Sequence, residues 1–324
     1  MSQLLQSIDD RTRLAGTNRM EILLFSLGKD RCSGRNEIFG INVFKVREVM
    51  HIPDITRAPD MPKAVEGMVS LRGHTLPVIN LIEYCGIDND EKPAIMIVTE
   101  YNKNIQGLLV KSVDNIERLA WEDVRQPPPI LDSRHGSLVT AVTELEDKGL
   151  IMIMDVEKVL AETAGIYQDD SIYQDIPRLS RRDVTVLYAD DSGVARDQIE
   201  RTMTTMGLRF IGTSNGQDAW DRLNQLHEQA QTAGQPVTSL VNFVLTDIEM
   251  PEMDGYVLTR KLKEDDRFSH IPVIMHSSLS AEANRALGKS VGADAYVAKF
   301  KPRELALKII ELLNQHEMPT QASA

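Results

Sequence analysis

The sequence predicts two domains of different classes: an all-β domain made of small barrels, then an α/β domain on a five-stranded parallel sheet. Three observations carry this. The chain has 324 residues, enough for two ordinary domains with a core each. Short apolar runs crowd the stretch from Glu21 to Val156 with few helical patterns between them. After Val184, strand-like and helix-like runs alternate strictly.

Taken in order, residues 1–19 place Leu4, Leu5, Ile8 and Leu14 at roughly helical spacing. That pattern predicts a short amphipathic helix, packed on the first domain or offered to a partner. Over residues 20–163 the runs EILLFSLG, EIFGINV, AIMIVTE, IQGLLVKSV and GLIMIMDV are rich in Ile, Val and Leu, and GKD, SGRN and DND punctuate them as turns. Helical patches are expected at Phe44–Met50 and Asp155–Thr163. Residues 164–182 are polar and lack apolar periodicity, as an interdomain linker would. From 183 to 316 the strands VTVLYA, LRFIGT, VNFVLTD, IPVIMHS and AYVAK are each followed by a helical run, the first closed by Gly207. Five such βα units predict a doubly wound sheet of the flavodoxin-like order. Residues 317–324 read as a frayed tail.

Bulk composition narrows the function. Apolar residues make up 42% and charged residues 26%, an ordinary balance for soluble protein. A formal charge of −12 argues against nucleic acid as a partner, since that binding draws on Lys and Arg displacing counterions. The two cysteines, Cys32 and Cys85, stand far apart, which excludes a disulfide framework and fits a reducing cytosol. No HExxH spacing occurs among the seven histidines. No run approaches the ~18 apolar residues that span a bilayer, and the first residues lack the apolar core of a signal peptide. The expectation is a cytoplasmic protein that reaches a membrane only through a partner.

Residues with chemistry fall where open α/β sheets bind ligands, at the carboxyl ends of strands. Asp190 and Asp191 follow the first strand of this half, Asp247 ends the third, Ser277 the fourth and Lys299 the fifth. Three converging carboxylates repel by about 4 kcal/mol per pair at 4 Å and an effective dielectric of 20. A hard divalent cation, most plausibly Mg²⁺, offsets this through oxygen ligands. Lys299 adds a compact positive charge and Ser277 a hydroxyl suited to a phosphoryl oxygen. Taken singly, an Asp–Asp pair is a turn, a Ser an N-cap and a Lys a solvated edge. Their joint occurrence at four strand ends points to a site.

The run TDIEMPEMDG, residues 246–255, resembles the phosphoacceptor loop of two-component receiver domains. The resemblance implies that Asp247 accepts a phosphoryl group from a kinase phosphohistidine, without the chain being an enzyme in its own right. It implies that Asp190, Asp191, Asp247 and the main-chain carbonyl of Glu249 hold Mg²⁺. Ser277 and Lys299 would contact the phosphoryl oxygens, and Tyr296 is similar to the aromatic that turns inward when such domains switch. Three positions depart from the pattern: Phe300 stands where proline usually follows the lysine, Ser278 where alanine is common, and the anionic Glu249 two residues after the acceptor. The carboxylate of Glu249 is expected to impede the attacking water and lengthen the phosphoryl lifetime.

Residues 20–163 resemble the CheW-like coupling domain through FGINVFKVREVM, ITRAPDMPKAVEGMVSLRGHTLPVINL and GLIMIMDVEKVL. The resemblance implies two small SH3-like β-barrels sharing a core. It also implies binding to chemoreceptor cytoplasmic tips and to the chemotaxis histidine kinase CheA at receptor arrays on the inner face of the membrane. Arg72, in a turn between strands, is the expected receptor contact, while Gly67, Gly73 and Pro77 serve geometry. A coupling domain fused to a receiver is the architecture of CheV-type chemotaxis adaptors. The alternative is a phosphate sink, a receiver that drains the kinase while the coupling domain localises it. A transcriptional regulator would need a DNA-binding domain after the last helix, and an aspartate-nucleophile phosphatase a DxDx(T/V) motif at the first strand, where this chain has YADDS.

Overall fold

In a computed structural model the chain falls into two compact units, divided along the sequence between residues 168 and 169. The structure describes residues 19–316 apart from 33, 58, 89, 102–103, 129–137, 164–169, 180–183 and 279–281. The helix expected over 1–19 lies, but for its last residue, outside the described residues, and so does the tail expected over 317–324.

The first unit holds two five-stranded sheets. One orders its strands β8-β1-β2-β10-β9, where β1 is Arg19–Lys29, β2 Asn36–Asn42, β8 Ser112–Ala120, β9 Val139–Leu145 and β10 Gly149–Met154. The other runs β3-β6-β7-β5-β4, where β3 is Val46–His51, β4 Val65–Leu71, β5 His74–Asn80, β6 Ile95–Tyr101 and β7 Asn104–Val110. Both sheets show the same succession of pairings, antiparallel, antiparallel, parallel, antiparallel. Among the described residues two short α-helices accompany them, α1 at Leu81–Tyr84 and α2 at Val156–Thr163. The carboxylate of Asp155 starts α2 by accepting from the N–H groups of Glu157 and Lys158.

Strand β1 explains how the sheets share a core. Its alternate residues point to opposite faces. Leu23, Phe25 and Leu27 join Ile97, Leu108 and Val110 of the second sheet in one cluster, while Ile22 and Leu24 pack with Trp121, Val124 and Ile151 in another. A strand buried on both faces reads as a continuous apolar run, as EILLF does. Strand β6, buried from Met96 to Thr99, also corrects one expectation. Of the helical patch expected at Phe44–Met50, only Val43–Lys45 turns, as a 3-10 helix, and Val46–His51 is the strand that pairs with β6. Pairing the backbone of β6 outweighs the weak helical spacing of that segment.

In the second unit all five strands are parallel, in the order β12-β11-β13-β14-β15. They are β11 Thr185–Ala189, β12 Arg209–Thr213, β13 Phe243–Thr246, β14 Val273–Ser277 and β15 Ala295–Ala298. Helices α3 (Gly193–Met206), α4 (Gly216–Thr232), α5 (Gly255–Glu264), α6 (Glu282–Ser290) and α7 (Pro302–His316) follow the strands in turn. This is the flavodoxin-like order with one apolar cluster on each face. Part of the segment read as linker belongs to this unit. Ile176 is 7% exposed beside Met203, Met206 and Ile309, with Tyr173 and Leu179 packed around it. Leu179 donates its N–H to the Met206 carbonyl, and Arg201 lies over the Tyr173 ring at 4.5 Å. The few apolar residues of this polar stretch show no regular period, so the core partners of Ile176 on α3 and α7 are invisible along the chain.

Candidate functional site: an acidic cluster closed by a buried lysine

The parallel register of the second unit's sheet decides which residues meet. Strand β11 lies between β12 and β13, so the loops after β11 and β13 leave the same edge side by side. Asp247 donates its N–H to Ala189 O at 2.8 Å and Asp190 donates to Thr213 O at 3.2 Å, carrying the pairing past the strand ends. Carboxylate oxygens of Asp190, Asp191 and Asp247 consequently lie within 4.8 Å of one another. Asp190 is fully buried and Asp247 is 3% exposed.

Lys299 arrives from the loop after β15, its N–H bonded to Ser277 O at 3.1 Å. Its ammonium lies 2.7 Å from the Asp247 carboxylate and 2.9 Å from that of Asp190, with no solvent exposure. An ammonium is buried at such cost that it must be compensated, and here two carboxylates compensate it. The three carboxylates and one ammonium still sum to −2, the charge a divalent cation cancels. All three donors are hard oxygens of the kind Mg²⁺ prefers, so the donor set fits that ion.

The loop after β13 is built from its own sequence. Asp247 Oδ1 accepts the N–H of Ile248 at 2.7 Å, and Gly255 donates to Ile248 O at 2.8 Å. A Cβ on Gly255 would stand 1.9 Å from the Asp247 carbonyl oxygen, so only glycine lets the chain close here. Asp254 then caps α5 by accepting from Val257 N at 2.7 Å. Burial pushes the Asp254 carboxyl above the usual carboxylate range, although N–H donors from Val257 and Tyr256 oppose the shift. Glu249 is 9% exposed, so its side chain is turned into the protein.

Ser277 is buried at the end of β14, and its hydroxyl is hydrogen-bonded to the phenol of Tyr296. Burial is the main cause that pushes this phenol up to about 12, the Ser277 bond opposes it, and the charges of Asp247 and Glu249 add to it. The Arg285 guanidinium covers the ring at 5.1 Å from the centroid. Phe300 follows Lys299 with φ of 58°, a left-handed conformation costly for a residue with a Cβ. One contributor escaped the sequence reading: Arg196, on the first turns of α3, places Nη1 2.9 Å from the carbonyl oxygens of both Asp190 and Asp191. Nothing along the chain marks this contact, since its partners are main-chain carbonyls, which every residue carries.

Arg72 lies apart from this cluster, in the first unit. Together with Gly73 it forms a two-residue turn joining β4 to β5, with φ of 49° and 82°. Hairpins of this kind need positive φ at both positions. The side chain is 68% exposed and pairs with Glu48 at 2.8 Å.

Residues 21–164 match the family model of the CheW-like domain, and residues 186–310 that of the response regulator receiver domain. The chain is 31% identical to chemotaxis protein CheV3 of Helicobacter pylori over 86% of its own length and 89% of the relative's. To chemotaxis protein CheV2 of the same organism it is 26% identical over 93% of this chain and 97% of the relative. To chemotaxis protein CheW of Klebsiella aerogenes it is 30% identical over 46% of this chain and 87% of that protein.

Proposed function

Because the chain belongs to the CheV family of chemotaxis adaptors, a CheW-like domain followed by a receiver, we propose that it couples chemoreceptor cytoplasmic tips to the histidine kinase CheA under control of phosphoryl transfer to Asp247. The observation that carries the reading is the buried Lys299 bridging Asp190 and Asp247 beside a third carboxylate. Such an arrangement costs stability and gives no packing advantage over apolar side chains, so a chemical role accounts for it best.

In this reading an Asp247 carboxylate oxygen takes the phosphoryl group from a donor imidazole. The new P–O bond forms as the P–N bond breaks, and the imidazole leaves. Asp190, Asp191, Asp247 and the main-chain carbonyl of Glu249 would hold Mg²⁺, which when bound neutralises charge on the transferring group. Lys299 then exchanges its bond to Asp247 for one to a phosphoryl oxygen. Ser277 exchanges its bond to Tyr296 in the same way, which frees the ring to settle inward and links acceptor chemistry to the surface under Arg285. Arg72, raised on a rigid turn, is the receptor contact. Among the described residues no helix is long and apolar enough to cross a membrane, and placement at receptor arrays follows from these partners.

The test is transfer of label from the phosphorylated histidine domain of CheA, with Mg²⁺, to wild type and to Asp247→Ala. Label on wild type that the substitution abolishes is the expected result. Absence of label on wild type overturns the phosphoacceptor role and leaves a passive coupling scaffold. Receptor and kinase capture by Arg72→Glu, measured alongside, addresses the coupling half: loss of receptor capture is expected.

A further inference from the structure

The Asp190–Asp191 segment is held from behind. Ser192 caps α3, accepting from Ala195 N at 3.4 Å, and its own N–H returns to Asp190 Oδ1 at 3.0 Å. Four residues on, Arg196 turns its guanidinium back onto the loop, Nη1 donating to both carbonyl oxygens at 2.9 Å. Two carbonyl oxygens brought to one point repel, and a cation with two N–H bonds on one nitrogen satisfies both. The helix that carries Arg196 is fixed in rotation one turn further along. Glu200, on the same face, accepts the Tyr188 hydroxyl from β11. Tyr188 fits only because residue 212 is glycine, whose Cβ would stand 2.3 Å from the hydroxyl oxygen. Strand, helix and loop thus lock the peptide groups of Asp190 and Asp191 in one orientation, and their side chains point to the opposite side, toward Asp247.

We propose that Arg196 is a positioning residue for the acidic cluster, holding the Asp190–Asp191 backbone so that both carboxylates are presented to a divalent cation. This rests on the reading of the cluster as a Mg²⁺ site. Arg196 does not touch the ion or the acceptor and acts only through the two carbonyls. Two effects of removing it have opposite signs. Losing a cation near three carboxylates strengthens metal binding by simple electrostatics. Losing the backbone clamp weakens it, as substitution of an orienting group typically costs about 10–100-fold in metal affinity. The clamp is the larger effect, because two carboxylates lose their orientation together.

The experiment is calorimetric titration of MgCl₂ into the full chain, for wild type, Arg196→Ala and Arg196→Lys, with melting in EDTA as the control for folding. Arg196→Ala is expected to raise the Mg²⁺ Kd at least about 10-fold. Arg196→Lys, whose ammonium can satisfy one carbonyl well and the other poorly, falls between. In transfer assays with excess Mg²⁺ the variants recover most of the wild-type rate, since the defect is one of affinity. Unchanged or tighter Mg²⁺ binding by Arg196→Ala overturns the proposal while leaving the metal site standing. Wild type that takes up no Mg²⁺ overturns the metal reading and the inference with it. If Arg196→Ala does not fold in EDTA, Arg196→Lys decides between these outcomes alone.

Discussion

Replacing Lys299 by methionine keeps its unbranched stem, one atom shorter, and removes its charge, leaving Asp190 and Asp247 buried without their shared cation. At an effective dielectric of 20, contacts of 2.7 and 2.9 Å correspond to roughly 6 kcal/mol of gross attraction each. Desolvation of the ammonium offsets much of this, so the expected net loss is about 3–5 kcal/mol, as when one partner of a buried pair is removed. For a domain of this size that lowers the receiver melting temperature by roughly 6–20 °C. The assay is scanning calorimetry of wild type and Lys299→Met in EDTA and then in Mg²⁺. At a hundredfold excess over Kd, Mg²⁺ adds about 2.7 kcal/mol to wild type. It adds more to the variant, where no ammonium competes for the same carboxylates, so the gap in melting temperature narrows. A variant within about 2 °C of wild type in EDTA, less than 1 kcal/mol on this scale, refutes the view that Lys299 holds the cluster together. A gap indifferent to Mg²⁺ refutes the view that ion and lysine act on the same charges.

Three further outcomes are expected. Glu249→Asn removes a buried carboxyl group two residues after Asp247 and is expected to accelerate loss of label from phosphorylated protein, and a decay curve no faster than wild type sinks the idea that Glu249 shields the acyl phosphate. Gly255→Ala touches no site side chain yet drives a methyl against the Asp247 carbonyl, costing about 1–3 kcal/mol of stability and slowing label transfer. Transfer at the wild-type rate by a folded Gly255→Ala protein shows that the loop tolerates displacement. At pH 7.5 iodoacetamide modifies the exposed Cys32 but not Cys85, whose thiol burial pushes up to about 12, and mass spectrometry should find Cys85 alkylated only after unfolding.

Much of the receiver was legible because its information is local. Alternating apolar and amphipathic runs fix a parallel sheet, a parallel sheet fixes where its loops open, and Asp190, Asp191, Asp247, Ser277 and Lys299 fall at those openings. The CheW-like half was legible as strands but not as pairings. Its two sheets repeat one pattern of pairing with no repeat in the sequence, since backbone hydrogen bonds do not depend on side-chain identity. For the same reason Val46–His51, helical by spacing, became a strand once β6 needed a partner.

What the sequence determined by itself was the set of groups that carry chemistry and the fold class that gathers them. Tertiary structure alone decided which of those groups touch. It turned Lys299 onto Asp190 and Asp247, bonded Ser277 to Tyr296, and brought Arg196 back onto the two carbonyls. It also sank Ile176, from a polar stretch, into the receiver core. Residue type and strand position are written along the chain, whereas a buried contact is set by the requirement that each desolvated charge and apolar side chain find a partner across it.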